Sequence, residues 1–206
     1  MTGSDRKPRI AIMGEFSAGK STLANLLIGS DPLPVQVIAT QLPPVCISFG
    51  TQAPYCVDLD GVQSPIDLHN LQAAKLDEVA YIQLFCDEDI LQQCDLMDMP
   101  GISDPNMSSE VWERMIGRAD GVIWCSHATQ AWRQSEAAVW SEMPEALRDH
   151  SLLLLTRIDK LQTDQDRARV VKRVRKETAG LFAQVLPISL LLATKEQDNY
   201  ELWSQS

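Results

Sequence analysis

Gly14-Glu15-Phe16-Ser17-Ala18-Gly19-Lys20-Ser21 fits the spacing G-x-x-x-x-G-K-[ST]. Glycines at both ends let a backbone curl tightly, so that successive N–H groups point inward at an anion. The residues after it read as a helix as far as Ile28, which adds a helix N-terminus whose dipole favours negative charge. Lys20 has the reach and the charge to hold the β- and γ-phosphates of a nucleotide, and the Ser21 hydroxyl is a hard oxygen suited to Mg²⁺. Residues 9–13 read as a buried strand, and a strand before with a helix after is what separates a phosphate loop from an accidental glycine-rich turn. The candidate nucleotide-binding residues here are Gly14, Glu15, Phe16, Ser17, Ala18, Gly19, Lys20, Ser21 and Thr22.

Such a loop specifies a nucleoside triphosphate and leaves the base open. Asp98-Met99-Pro100-Gly101 ends a short apolar strand, where a D-x-x-G run can sense a γ-phosphate. Asp98 would serve the metal, and the Gly101 N–H would meet the γ-phosphate; a plain Pro-Gly turn is the competing reading. Thr156-Arg157-Ile158-Asp159 ends the leucine-rich strand and is similar to a guanine-reading [NT]-K-x-D run. A carboxylate at Asp159 can accept from the N1–H and the exocyclic amine of guanine, a donor pair that adenine lacks. Arg157 stands where lysine is usual, and its stem and planar head can cover a base in the same way. Ser189, at the end of the last strand, falls where a base-contacting loop is expected, without the usual Ser-Ala-Lys character. Thr40, in a proline-rich loop, has a hydroxyl that could reach Mg²⁺ and the γ-phosphate. His127 reads as a structural loop residue, and Trp112, Trp124, Trp132 and Trp140 as packing.

These motifs need strands to carry them. Strands are expected at 9–13, 45–50, 55–59, 79–86, 95–98, 121–125, 152–156 and 185–189, with 45–50 and 55–59 paired around a turn at Thr51–Pro54. Helices are expected at 19–28, 108–118, 135–143 and 164–182, with 64–78 partly helical and Ser108 or Ser109 capping the second. Strands alternating with helices imply an α/β fold, a mostly parallel central sheet with helices on both faces, with ligands at the carboxyl ends of the strands.

The chain has 206 residues, which suits a single domain over 1–206. Its formal net charge of -10 opposes nucleic acid as a partner. The basic run Arg167 to Lys176 has helical spacing and reads as a solvated helix face. Five scattered cysteines without a C-x-x-C pair suggest reduced, buried thiols in a cytoplasmic protein. There is neither metal-ligand spacing of His and Cys nor an apolar run long enough to span a bilayer.

The motif set resembles the dynamin-like GTPases, especially the bacterial ones. The likeness rests on Gly14 to Leu27 with its L-x-N-x-L helix, on Leu33-Pro34 before Thr40, on D-x-P-G at Asp98 and on Thr156 to Asp159. It covers residues 9 to about 203 and implies a P-loop GTPase (G) domain without the final helix or the helical stalk of longer relatives. The resemblance implies GTP and GDP as ligands, with Mg²⁺ held by Ser21, Thr40 and Asp98. It implies Ser17, Lys20, Thr40 and Gly101 as the residues of hydrolysis, with Ser17 placing the water and, in some members, a monovalent cation. Gln36 stands where bacterial relatives tend to carry glycine, which argues against cation assistance, and no glutamine follows Gly101. A nucleotide-dependent homodimer, a longer dynamin-like partner and peripheral membrane association are the partner expectations. Two functional readings stand beside each other: a hydrolysing GTPase, and a GTP-dependent binding switch with negligible turnover. A P-loop ATPase or kinase would require Asp159 to be incidental.

Overall fold

A computed structural model describes residues 6–30, 43–67, 78–102 and 109–197. Strand β1 (Arg9–Gly14) runs into the loop that opens helix α1 (Lys20–Ile28). Strands β2 (Val45–Phe49), β3 (Tyr55–Asp58), β4 (Gln63–Pro65) and β5 (Val79–Cys86) follow. Helix α2 (Asp89–Gln93) leads to β6 (Asp95–Asp98), and α3 (Ser109–Ile116) leads to β7 (Gly121–His127). Helices α4 (Gln134–Ser141) and α5 (Glu145–Arg148) precede β8 (Ser151–Thr156). Helix α6 (Asp164–Glu177), strand β9 (Gln184–Pro187) and helix α7 (Leu190–Gln197) complete the described chain.

The strands form one sheet in the order β4-β3-β5-β2-β6-β1-β7-β8-β9. From β6 through β1, β7 and β8 to β9 every neighbour is parallel, and β2 turns the direction by pairing antiparallel with β6. The central strands are apolar on both sides because both faces are covered. Ala11 and Met13 of β1 face a core with Met115, Trp124, Trp140, Leu153 and Val174, under α3 to α6. Ile12 faces the other core with Leu23, Ala24, Ile28, Leu154 and Leu190, under α1 and α7. The parallel strands therefore end along one edge, at Gly14, Asp98, His127, Thr156 and Pro187. Among the described residues no helix is long and apolar enough to cross a membrane.

Several expectations are corrected. Strands β2 and β3 do not pair with each other, because β5 lies between them, parallel to β2 and antiparallel to β3. The link from Gly50 to Pro54 can reach about 16 Å, enough to cross one strand and land about 10 Å away. The Gly50 N–H donates to the Cys86 carbonyl at 3.1 Å and extends the β2–β5 ladder. Within 64–78, expected to be partly helical, Gln63–Pro65 instead forms an exposed edge strand, a position that tolerates Pro65; residues 68–77 lie outside the described residues. Helix α6 ends at Glu177 rather than Phe182. Gly180, at φ 79°, turns the chain so that Leu181 and Phe182 pack back onto the first core. Helices α2, α5 and α7 have no counterpart among the elements expected from sequence. Of the thiols, Cys46 and Cys125 are buried, whereas Cys56, Cys86 and Cys94 are only half-buried, and all five are free.

The tryptophans do pack. Trp140 stacks on Phe182 with ring centroids 4.1 Å apart and meets Trp124 edge-on at 5.4 Å. Its buried indole N–H has no hydrogen-bond partner among the described residues. Trp140→Ala should destabilise the fold by about 3–5 kcal/mol, read by urea denaturation. Trp140→Phe should lose much less, because the unpaired N–H leaves with the larger ring. Equal losses for both would show that the stack contributes little.

Candidate functional site

The phosphate loop is shaped by contacts that admit no side chain at its ends. Gly14 has φ 135°, and a Cβ there would lie 2.0 Å from the Cys125 carbonyl oxygen on β7. Gly19 has φ 88°, and a Cβ would meet Leu190 Cδ1 of α7 at 2.7 Å. Ser17 adopts φ 58°, a left-handed conformation unusual for a residue with a side chain. Gly19 offers no side-chain cap to α1, so the first amides of the helix point into the loop. Lys20 is buried within the curl, and its Nζ donates to the Glu15 carbonyl at 2.8 Å. Phe16 and Ser17 form the exposed outer lip, and Thr22 is half-buried on the first turn of α1.

Three other strands end against this loop. From β6, Asp98 accepts a hydrogen bond from Ser21 Oγ at 2.6 Å. Burial pushes the Asp98 carboxyl up to about 6, against the lowering effect of the Ser21 hydroxyl and of Lys20. Its second oxygen, Oδ1, is buried and has no hydrogen-bond partner among the described residues. A spare carboxylate oxygen beside a serine hydroxyl and a lysine is a donor set that fits Mg²⁺ together with the phosphates of a nucleotide. Just beyond, Gly101 lies so close to the loop that a Cβ would come 3.0 Å from the Phe16 N. The Ile102 N–H donates to the Gly14 carbonyl at 3.2 Å, so the D-x-P-G segment is fastened to the phosphate loop.

From β8, the fully buried Thr156 donates through Oγ1 to the Ala18 carbonyl at 2.8 Å and to the Ser126 carbonyl at 3.3 Å. Its hydroxyl therefore supports the loop from beneath, a role that the motif spacing did not convey. Arg157 takes φ 55°, and its Nη2 donates to the Ser17 carbonyl at 2.8 Å, which ties the expected base-covering residue to the loop's outer lip. Asp159 and Ser189 come together: Ser189 Oγ donates to Asp159 Oδ1 at 2.6 Å and holds that carboxyl below its ordinary value. Burial first, then the charges of Arg157 and Arg133, lower the His127 pKa, which keeps that ring neutral at pH 7; Thr129 Oγ1 lies 2.9 Å from its Nδ1.

The edge thus gathers the phosphate loop, Asp98, Gly101, Arg157, Asp159 and Ser189. Thr40, and with it Leu33, Pro34 and Gln36, lies outside the described residues. One neighbour was not singled out from the sequence. Glu136, at the start of α4, is buried and accepts from Trp124 Nε1, Ser126 Oγ and the Arg133 N–H at 2.9–3.0 Å. Its carboxylate caps the start of α4, but Arg133 at the N-cap has no acceptor to complete a capping box, so the sequence carries no such signal for it.

Comparison with known proteins follows the same lines. A model of the dynamin family matches residues 10–158. Dynamin-like protein 2 of Campylobacter jejuni subsp. jejuni is 26% identical over 203 residues, 96% of this chain and 33% of that relative. A solved structure from an oligomerised bacterial dynamin pair, described as a mechanism for long-range sensing and tethering of membranes, is similar with TM-score 0.74. It is 20% identical and matches 93% of this chain and 34% of its own. Era from Aquifex aeolicus, bound to GDP and AlF4⁻, is similar in fold with TM-score 0.54, 17% identity, and coverage of 94% of this chain and 55% of its own. The chain spans about a third of the length of the dynamin-like relatives it matches.

Asp98 yields a test of the site's electrostatics. Its folded value of about 6 lies above the ordinary 3.8, so it is harder to ionise in the folded chain. Its contribution favours folding below the unfolded value and is lost as pH rises toward the folded one. In chelator and without nucleotide, Asp98→Asn should therefore exceed the parent in stability at pH 7 by up to about 3 kcal/mol, with the gap closing near pH 4. Denaturant titrations at both pH values read this, and a parent more stable at pH 7 would contradict it.

Proposed function

Because this chain belongs to the dynamin family, whose members are GTPases, we propose that residues 1–206 form a single GTPase domain that binds GTP and hydrolyses it to GDP and phosphate. The observation that carries this reading is the Asp159–Ser189 pair on the same sheet edge as the phosphate loop. A carboxylate held ionised by a neighbouring hydroxyl is suited to accept from the two donors on the guanine edge. Arg157 covers one face of the base while its head stays on the Ser17 carbonyl.

In this reading the curled amides of the loop and Lys20 Nζ, released from the Glu15 carbonyl, hold the β- and γ-phosphates. Ser21, Asp98 and Thr40 would hold Mg²⁺, which supplies charge neutralisation at those phosphates. Ser17 and Thr40 place the water. Its oxygen bonds to the γ-phosphorus as the bond to the β–γ bridging oxygen breaks; the water's proton leaves with the phosphate. The Gly101 N–H senses the γ-phosphate and couples its loss to the loop beyond.

Gly101 is followed by the apolar Ile102, so nothing at that position orients a water. This favours a site completed by a second copy across the nucleotide face, with turnover that rises with protein concentration. The alternative is a GTP-dependent switch or assembly module with negligible hydrolysis of its own. A monovalent cation beside Ser17 would aid the same step, and Gln36 argues against it. By analogy with the membrane-tethering pair, the chain would act in the cytoplasm, peripherally at a membrane and with a longer dynamin-like partner, without nucleic acid.

Two substitutions and one titration test this. Lys20→Ala should abolish nucleotide binding or turnover. Asp159→Ala should reduce the preference for GTP over ATP by about 100-fold or more, measured by competition binding. GTP turnover per chain should rise between low and high protein concentration. Tight binding without turnover at any concentration would favour the switch, and equal affinity of the parent for GTP and ATP would reject the guanine reading.

A further inference from the structure

Glu136 is a buried charged group that the proposed reaction leaves without a part. It lies on the first turn of α4 and is 1% exposed. Its Oε1 accepts from Trp124 Nε1 at 3.0 Å. Its Oε2 accepts from Ser126 Oγ at 3.0 Å and from the Arg133 N–H at 2.9 Å. A buried carboxylate is a weak source of stability even when its donors are in place. What these bonds do is fix Ser126. Ser126 Oγ also accepts from the Trp132 N–H at 3.2 Å, so the hydroxyl is held from two sides. Trp132 itself takes φ 59°, a strained conformation that a bulky residue keeps only where its surroundings over-determine it. Its ring packs edge-on against Trp124 and Phe182.

From Ser126 the contacts continue to the phosphate loop. Thr156 Oγ1 lies 2.8 Å from the Ala18 carbonyl oxygen and 3.3 Å from that of Ser126. A threonine hydroxyl has one proton to donate, so the two carbonyls compete for it and the nearer one prevails. Ser126, Thr156 and Ala18 are all fully buried, so water does not replace a lost bond. A trans peptide points its C=O and its N–H in opposite directions. Holding the Ala18 carbonyl on Thr156 therefore turns the Gly19 N–H the other way, to the side where phosphates would bind.

We propose that Glu136 is a positioning residue: by fixing Ser126 it keeps the single Thr156 proton on the Ala18 carbonyl, and so aims the Gly19 N–H at the phosphates of the nucleotide. The inference rests on the proposed binding of guanine nucleotide. In Glu136→Gln an amide NH2 faces a donor whichever way it turns: Trp124 Nε1 on one side, the Arg133 N–H on the other. Ser126 then loses its fixed place, the two carbonyls share the proton differently, and the Ala18–Gly19 peptide is no longer held in one orientation. Every nucleotide's phosphates feel this alike. The Asp159–Ser189 pair does not, so affinity falls while base preference stays.

The test is a double-mutant cycle on the full chain, with competition binding of GTP and ATP at a temperature where circular dichroism shows every variant folded. Glu136→Gln should weaken both nucleotides by the same factor, about three- to tenfold, with the GTP-to-ATP ratio unchanged. Ser126→Ala breaks the same path one step closer to the loop and should do likewise; it carries the test alone should Glu136→Gln not fold. Thr156→Val removes the shared proton and should itself weaken both nucleotides. In that background Glu136→Gln or Ser126→Ala should have little further effect. A purely structural Glu136 would lower the melting temperature and leave the affinities of the folded variants as they are. The proposal is overturned by that result, by a changed GTP-to-ATP ratio, or by a full effect that persists in the Thr156→Val background. A parent chain that binds neither nucleotide would sink the nucleotide reading itself; a parent that binds GTP while the variants match it sinks this inference alone.

Discussion

One constraint governs the rest of the structure: the backbone from Gly14 to Ser21 must hold a curl that no isolated peptide would keep. A chain gains little from pointing successive amides at one spot, since they repel one another and leave their partners unfilled. The curl persists because neighbouring strands grip it. Cys125 on β7 closes on Gly14, Thr156 and Arg157 of β8 hold the Ala18 and Ser17 carbonyls, and Gly101 after β6 presses on Phe16. The parallel arrangement of β6, β1, β7 and β8 brings these grips to the same edge. Without those adjacent strand ends the G-x-x-x-x-G-K-S run would be a flexible turn. The fold thus serves as a clamp, and the chemistry of the site inherits its rigidity.

That dependence explains which parts of the molecule are legible in the sequence. Gly14, Gly19, Lys20 and Ser21 are legible because the requirement on them is local: a positive φ, a reach, a hydroxyl at fixed spacing. Asp98, Asp159 and Ser189 are legible because each follows an apolar strand that must end where the ligand sits. The support of the loop is not legible in this way. Thr156 reads as part of a base-recognition run, yet its hydroxyl belongs to Ala18, a contact made across 138 residues. The pairing of β2 with β3 is the natural inference from two short strands and a turn, and it fails because β5 offers two free edges that arrive later in the chain. Helix α7 escapes because its residues carry no clear helical periodicity, although Leu190 closes on Gly19.

The site also resolves a conflict of charge. The chain carries a net -10 and, as the proposed GTPase, takes a polyanion. Local geometry decides the matter over net charge. Converging amides, Lys20 and Arg157 act at the loop itself, whereas exposed charges farther off than a Debye length of about 8–10 Å are largely screened. Two acids stand at the loop, and each is managed differently. Asp98 is buried so that its charged form is disfavoured, and its Oδ1, without a hydrogen-bond partner among the described residues, is suited to a cation. Glu15 is engaged by a hydroxyl from another element.

These two devices act on opposite sides of the same energy balance. In the proposed GTPase a carboxylate made costly by burial would ionise when Mg²⁺ arrives, so metal and triphosphate would reinforce each other's binding at Asp98. Glu15, at the rim of the loop, keeps the sign of a phosphate whatever the metal does, and Ser135 Oγ is one of its partners. The lock of Glu136 onto β7 fixes the first turn of α4, which carries Ser135.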